Sequence, residues 1–434
     1  MCSGSSIFGP KNTLRPAHAA QNFVSASQKV AQRTCCPKNE PMILTNCPVC
    51  AAPLPPTTAK QCSRCKTRYC GPECQKKHWE EGGHDKFCRK IRKGGGAEQY
   101  HANTKYTEAV AVAAEACADD TKGQTCYICT QALHWKTKEG LVRGCACRGT
   151  AGFAHVSCLA EQAKILFAEA EENHLGIKAL NERMKRWYDC SLCEQEYHSV
   201  VKCALGWACW KTYLGRPETD QMYGLAMSLL GNGLSDAHHH EDALSVQEAR
   251  LSLMRRVGAP VEHILAMQNN LAITYSSLGR LEPALRLKRD IYSGRLKLHG
   301  EDSRETLIAA SNYAVALGEL RRFEESKALS RSLVPVARRV LGENDHRTLK
   351  MRWNYATALF RDAAATLHDL RKAVKILVET TRTAQRVFGG AHPLVANIEC
   401  DLQNARAALD ARETPEDVEV LQTADDLAAH FDSL

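Results

Sequence analysis

Apolar and small residues recur at helical spacing through the second half of this 434-residue chain, and the pattern itself repeats. Gly258, Gly300 and Gly342 are 42 residues apart, and Asn270, Asn312 and Asn354 keep the same step. Gly389 follows after 47 residues, so an insertion at 362–370 (DAAATLHDL), in a turn between helices, accounts for the longer interval. A period of this length in helical sequence predicts stacked helical hairpins that bury one face against the next.

One unit of this pattern resembles a tetratricopeptide repeat. Ala272, Tyr275, Gly279 and Ala284 follow its order of small, aromatic, turn and small residues. The longer unit resembles the repeats of kinesin light chains, over residues 221–412. One period later, Arg321 stands where the turn glycine is expected, so the pattern leaves the geometry of that turn open.

Such repeats form an α-solenoid whose concave groove binds a protein or peptide partner. The resemblance places Asn269, Trp353, Phe360 and Arg361 among the candidate groove residues. Ordinary packing between adjacent repeats is an equally good interpretation of these four side chains.

Cysteine is the compositional outlier, with 21 residues, of which 14 fall into two patterns of eight metal-ligand residues each. A CxxC turn lets two thiolates reach one metal ion, and two such pairs complete a closed tetrahedron around zinc. The spacing therefore predicts four structural zinc ions per chain. The first pattern consists of Cys47, Cys50, Cys62, Cys65, Cys70, Cys74, His84 and Cys88, and the second consists of Cys126, Cys129, Cys145, Cys147, His155, Cys158, Cys190 and Cys193.

Zinc ligation requires free thiolates, whereas a disulfide framework is typical of short chains with a secretory signal. We therefore expect a cytoplasmic or nuclear protein. The first 39 residues, with five Lys or Arg and no acid, faintly resemble a transit peptide, but a disordered arm over 1–46 is the favoured interpretation.

The first pattern resembles a MYND finger, which would occupy residues 47–93. The resemblance implies that Cys47, Cys50, Cys70 and Cys74 bind one zinc ion, and that Cys62, Cys65, His84 and Cys88 bind the other. His78 is a competing ligand, but its spacing to Cys88 is too long for the final pair, which favours His84. Modules of this kind bind peptides that are often rich in proline.

The second pattern resembles a RING-variant (RING-CH) finger within residues 125–198. The resemblance implies that Cys126, Cys129, His155 and Cys158 form one site, and that Cys145, Cys147, Cys190 and Cys193 form the other. RING-type modules recruit a ubiquitin-conjugating enzyme through a hydrophobic residue in the first CxxC, here Ile128. Two features depart from active ligases: 31 residues, predicted to include an inserted helix, separate Cys158 from Cys190, and Glu194 stands where Arg or Lys is common.

Charge and hydropathy narrow the range of partners. The formal net charge of +8 falls to about +2 once 14 thiolates and four zinc ions are counted, which disfavours nucleic acid. No apolar stretch reaches the length of a membrane span, so we expect no membrane partner.

The segment 413–434 holds seven acids and no Lys or Arg, whereas residues 47–93 hold 11 basic and four acidic residues. The two segments could attract each other, although independent solvated segments are the simpler expectation.

The sequence thus predicts a mainly α protein with two small interleaved zinc modules followed by an α-solenoid of tetratricopeptide-like hairpins. Residues 94–124 are interpreted as a linker containing a short helix at 104–118, residues 199–220 as a connector and residues 413–434 as an acidic tail. The favoured function is a protein interaction scaffold in which the finger and the repeats each bind a partner. The alternative is a RING-type ubiquitin-protein ligase whose repeats select the substrate.

Overall fold

The computed structural model describes residues 47–52, 54, 59–390 and 392–413, which divide into two compact units on either side of the Leu278–Gly279 bond. The predicted arm at 1–46 lies outside the described residues, as does the predicted acidic tail beyond Glu413. No helix in the described part of the chain has the length and hydropathy needed to cross a bilayer.

The first module is a small hairpin followed by two helices. Strands β1 (Lys60–Gln61) and β2 (Arg68–Tyr69) pair antiparallel, with Lys60 opposite Tyr69, and are followed by α1 (Pro72–Glu80) and α2 (His84–Lys93). Four of the six buried residues in its core cluster are cysteines, and Leu54 and Tyr69 are the other two. A core this small does not hold a fold by burial alone, so bound metal must contribute.

The segment predicted as a linker is largely a packed helix. Helix α3 (Ala97–Ala116) begins seven residues before the predicted short helix. It buries Ala102, Tyr106, Val110 and Ala113, which recur at helical spacing and form one face. The Lys211 Nζ atom lies 3.5 Å from the centre of the Tyr106 ring, so this face packs against the segment predicted as a connector.

The segment predicted as a connector, residues 199–220, contains a central helix. Helix α6 (Ser199–Tyr213) buries ten of its fifteen residues, Trp207 and Trp210 among them. It packs against α3, against α4 (Val156–Glu172) and against α7 (Gln221–Asp236). A helix that is apolar on every side is stable only when neighbours cover all of its faces.

The second cysteine-rich module is built into this helical core. Its loops meet at two isolated bridges, between Val142 and Ala154 and between Asp189 and Glu196. The predicted inserted helix is present as α4, followed by α5 (Ile177–Met184) and a 3₁₀ turn at Lys185–Trp187. One continuous hydrophobic cluster joins the module to α3, α6, α7 and α8, so the module shares its core with these helices.

The remaining helices are hairpins of the predicted repeat. Helix α8 spans His240–Arg256 and α9 spans Val261–Ser277 in the first unit. In the second unit each helix packs against the next one along the chain, as stacked hairpins require. Its helices are α10 (Leu281–His299), α11 (Arg304–Glu319), α12 (Phe323–Leu341), α13 (His346–Phe360), α14 (Leu367–Phe388) and α15 (Pro393–Asp410).

The predicted insertion at 362–370 is where the structure has its longer turn. Three residues connect α11 to α12, whereas six connect α13 to α14. The longer turn ends in a capping box at Thr366 and Asp369, which restarts the helix. The repeat period therefore slips without loss of the helical stacking.

Candidate metal centres

Four CxxC segments share one backbone geometry. In each, the amide of the residue four positions after the first cysteine donates to the carbonyl of that cysteine, at 2.8 to 3.0 Å. The donating residues are Ala51, Lys66, Thr130 and Glu194, and all four have positive φ angles of 53 to 65°. This tight turn brings both sulfur atoms of a CxxC segment to one side of the chain.

The structure brings the sixteen predicted ligands together in four groups of four, in the combinations that the two resemblances imply. Within each group every candidate ligand atom lies within 4.8 Å of the others. The groups are Cys47, Cys50, Cys70 and Cys74; Cys62, Cys65, His84 and Cys88; Cys126, Cys129, His155 and Cys158; and Cys145, Cys147, Cys190 and Cys193.

In the first module, the ligands of the two groups alternate along the chain, because a different helix completes the ligand set of each group. Cys74 lies on α1, with its Sγ 3.5 Å from that of Cys70. His84 and Cys88 lie one turn apart on α2 and therefore face the same way. The His84 Nε2 atom is 3.3 Å from Cys65 Sγ, and the Cys65 sulfur also contacts the Thr67 hydroxyl at 3.0 Å.

His78, the competing ligand, does not enter either group. Its Nδ1 atom is 3.0 Å from the Tyr69 hydroxyl, and its ring lies beside that of His84 with centroids 4.9 Å apart. Burial and the neighbouring His84 lower the pKa of His78 to about 4, so the ring is neutral at physiological pH. It therefore lies beside the metal group and does not belong to it.

In the second module His155 presents its other ring nitrogen. Its Nδ1 atom lies 3.4 Å from Cys129 Sγ and 3.6 Å from Cys158 Sγ. Its Nε2 atom lies 3.4 Å from the carbonyl of Ala132, to which an N–H there can donate. This contact favours the tautomer that leaves Nδ1 free to bind a metal, and burial lowers the pKa of the imidazole, which also favours the neutral ligand form.

The ligand spacing fits zinc. A tetrahedral ion with sulfur atoms at about 2.3 Å has edges of roughly 3.8 Å. The sulfur pair of Cys62 and Cys88 and the pair of Cys147 and Cys190 are each separated by 3.8 Å. The Cys50 and Cys70 pair is slightly closer, at 3.4 Å.

The pKa values of the thiols also favour a bound cation. Burial tends to raise the pKa of Cys47, but backbone N–H groups of Cys70, Cys50 and Val49 lower it to about 6. A hydrogen bond with Cys70 raises the pKa of Cys74, in the same group, to about 12. Thiolates this close repel one another, so all four are ionised together only when a divalent ion offsets their charge.

In the second module, the first CxxC segment (126–129) and the last (190–193) lie on adjacent loops, and each contains an apolar residue. The Tyr127 hydroxyl and Ser191 Oγ are 3.0 Å apart, which joins the first CxxC to the last. The next residues, Ile128 and Leu192, are half-buried and exposed respectively. Each donates its backbone N–H to the sulfur of the first cysteine in its own CxxC segment, at 3.4 Å.

Among the four predicted groove residues, Trp353 is placed inside the protein. It is 5% exposed, and its indole N–H donates to Asp401 at 2.8 Å. Arg361 is exposed and donates to the same carboxylate at 3.1 Å, while Phe360 and Asn269 are half-buried. For Trp353, this burial favours packing between helices, and the groove assignment of the other three residues stays a prediction. The sequence did not single out its partner, the buried Asp401.

Comparison with known proteins agrees with this architecture. A MYND finger model matches residues 46–88, a RING-variant domain model matches 126–174, and a tetratricopeptide repeat model matches 264–305 and 306–348. The chain thus contains these three kinds of module. The RING-variant match ends before Cys190 and Cys193, which follow the inserted helices and reach Cys145 and Cys147 only in the fold.

Several solved structures with helical repeats are similar to part of this chain. The repeats of a kinesin light chain-like protein from Podosopora anserina align at 18% identity with a TM-score of 0.38, covering 48% of this chain and 96% of that one. BtubC (BKLC) from P. vanneervenii aligns at 13% identity with a TM-score of 0.40, covering 64% and 91%. The comparison with curated proteins gives no match.

Proposed function

We propose that this protein is a zinc-dependent adaptor whose MYND finger and helical repeats each bind a protein partner. The observation that carries the proposal is that every metal group already has four protein ligands. A catalytic zinc site keeps one position open for water or substrate, whereas a closed site organises a surface. Because the thiols must stay reduced, the proposal places the protein in the cytoplasm or the nucleus.

Four zinc ions per chain are part of this proposal. Native mass spectrometry of the purified protein should show four ions, and His84→Ala should lower the count by at least one. His78→Ala is the matched control, because His78 lies beside the group without belonging to it, and it should retain all four ions. Equal zinc loss in both variants would reject the assignment of His84.

The finger offers an exposed aromatic surface to a peptide. Trp79 on α1 is 41% exposed and Phe87 on α2 is also exposed, which is unusual for large apolar side chains in so small a module. Proline-rich peptides, which the family resemblance favours, pack well against such rings.

This peptide surface can be tested with a displayed library of proline-rich peptides. Trp79→Ala should weaken binding of the selected peptides by about tenfold or more, since truncating an interface aromatic commonly costs over 1.4 kcal/mol. Trp135→Ala is the control, because Trp135 is 69% exposed but lies outside the finger. Identical losses in both variants would contradict a specific finger surface.

A second candidate function, ubiquitin transfer, is favoured by the adjacent apolar residues Ile128 and Leu192. Two apolar side chains on neighbouring knuckles could receive a ubiquitin-conjugating enzyme while the repeats hold the substrate. In this function the chain positions the conjugating enzyme and forms no covalent intermediate itself.

A transfer assay with a panel of conjugating enzymes separates the two functions. Ile128→Ala should abolish ubiquitin chains without loss of zinc, and Ile165→Ala, an exposed change on α4, should leave them unaffected. If the fully metallated protein forms no ubiquitin chains with any enzyme of the panel, ubiquitin transfer is rejected and only the adaptor function remains.

A further inference from the structure

A strongly basic cavity lies in the second unit, and none of the residues considered so far as a partner site lines it. It has a volume of about 570 Å³ and is bounded by α12, α13 and α14. Six cationic side chains line it: Arg331, Arg338, Arg352, Arg371, Lys372 and Lys375. Val334, Pro335 and Ile376 supply apolar surface between them.

Only part of this positive charge is neutralised by the described residues. Glu343 accepts from both Arg338 and Arg352 at 2.8 and 2.6 Å, and Glu379 accepts from Arg352 at 2.8 Å. Together with Glu413, which pairs with Arg371, three carboxylates meet six cations. An excess of three positive charges remains, and no described carboxylate forms an ion pair with Arg331, Lys372 or Lys375.

The wall of the cavity also presents a buried polar atom without a hydrogen-bond partner among the described residues, Nη2 of Arg371. The Tyr355 side chain beside it is 6% exposed. Burial tends to raise the pKa of Tyr355, but hydrogen bonds and charge interactions with Arg331 and Lys372 lower it, as a positive potential requires. A buried donor without a partner, beside cations that no carboxylate compensates, indicates a site built for an anionic ligand.

The described chain ends at the rim of this cavity. The Arg412 guanidinium donates to the carbonyl of Ala363 at 2.8 Å, and Glu413 accepts from Arg371 at 2.9 Å. The next 21 residues, 414–434, contain six acids and no Lys or Arg. Glu416, Asp417 and Glu419 follow Glu413 within six residues, so an extended chain brings them up to about 20 Å from it.

We propose that the cavity between α12, α13 and α14 is an acidic-peptide binding site and that residues 414–434 of this chain occupy it. The acids would pair with Arg331, Lys372 and Lys375, and apolar residues such as Val418 and Val420 would cover Val334 and Ile376. A short tether holds the segment at millimolar effective concentration, so even a weak site is filled. The site lies within 331–379 and involves neither zinc nor the finger.

The test uses the full chain and a variant whose six carboxylates in 414–434 are replaced by the corresponding amides. A fluorescent synthetic peptide with the native sequence of 414–434 is titrated into each protein and followed by anisotropy. The neutralised variant should bind the peptide at least tenfold more tightly than the unchanged chain, because its own segment no longer competes. Equal affinity for the two proteins would overturn occupancy by the chain's own segment.

Substitutions in the neutralised variant locate the site. Lys372→Glu and Lys375→Glu should each weaken peptide binding at least tenfold, while Arg382→Glu, an exposed change on α14 outside the cavity, should not. Circular dichroism checks that the helices are retained. If Lys86→Glu with Lys90→Glu in the finger abolished binding while Lys372→Glu did not, the segment would belong to the finger and the proposal would fail.

Discussion

The turn between α11 and α12 holds an arginine in a backbone conformation that favours glycine. Arg321 has a φ angle of 58°, and Gly279, one repeat earlier, has 71°. The left-handed conformation costs a side chain about 1–2 kcal/mol, partly offset because glycine loses more entropy on folding. We expect Arg321→Gly to raise the free energy of unfolding by about 0.5–1 kcal/mol in urea denaturation.

The matched change at residue 279 should have the opposite sign. A Cβ atom added to Gly279 would meet no atom within 4 Å, so Gly279→Ala tests the backbone alone. It should lower the free energy of unfolding by about 1 kcal/mol. Stabilisation by Gly279→Ala would show that the left-handed turn is not required by the repeat.

At the scale of elements, the packing of α6 against α7 depends on a close backbone approach. A Cβ atom at Gly233 would lie 2.8 Å from the Lys202 carbonyl oxygen and 2.9 Å from Cys203 Cα. Alanine usually stabilises a helix by about 1 kcal/mol relative to glycine. Here the clash with backbone should reverse that sign, and we expect Gly233→Ala to destabilise the first unit by about 1–3 kcal/mol.

Gly318 in α11 provides the control for this reversal. The nearest atom to an added Cβ there is Ser326 Oγ, at 4.0 Å. Gly318→Ala should therefore show the ordinary helix effect, a stabilisation of about 0.5–1 kcal/mol. Thermal melts that shift in the same direction for both variants would contradict the close approach of α6 and α7.

At the scale of the molecule, the loss of a metal ligand should disturb more of the surrounding structure in the second zinc module than in the first. The finger has a core of its own, whereas Cys145 and Cys190 belong to the cluster that includes Trp207 on α6. We expect Cys145→Ser to increase hydrogen exchange in α6 by about tenfold or more, because that helix loses one of its supports. Cys70→Ser should expose the finger and leave α6 protected. Equal protection of α6 in the two variants would show that the modules are independent.

The sequence by itself determined the features that depend on local spacing. The sixteen metal ligands, their interleaved combinations, the inserted helix and the 42-residue repeat could all be predicted, because CxxC turns and helical periodicity act over a few residues. The choice of His84 over His78 followed from the same spacing.

The tertiary structure alone decided how segments that are distant in sequence meet. The segments predicted as a linker and a connector contain α3 and α6, which cover each other's apolar faces, and neither segment reveals this alone. Trp353 was predicted as a groove candidate, but it is buried, and Asp401, 48 residues away, accepts its N–H. The cations of the basic cavity come from three helices, and no local pattern marks them. Burial and long-range pairing depend on the whole fold, whereas ligand spacing does not.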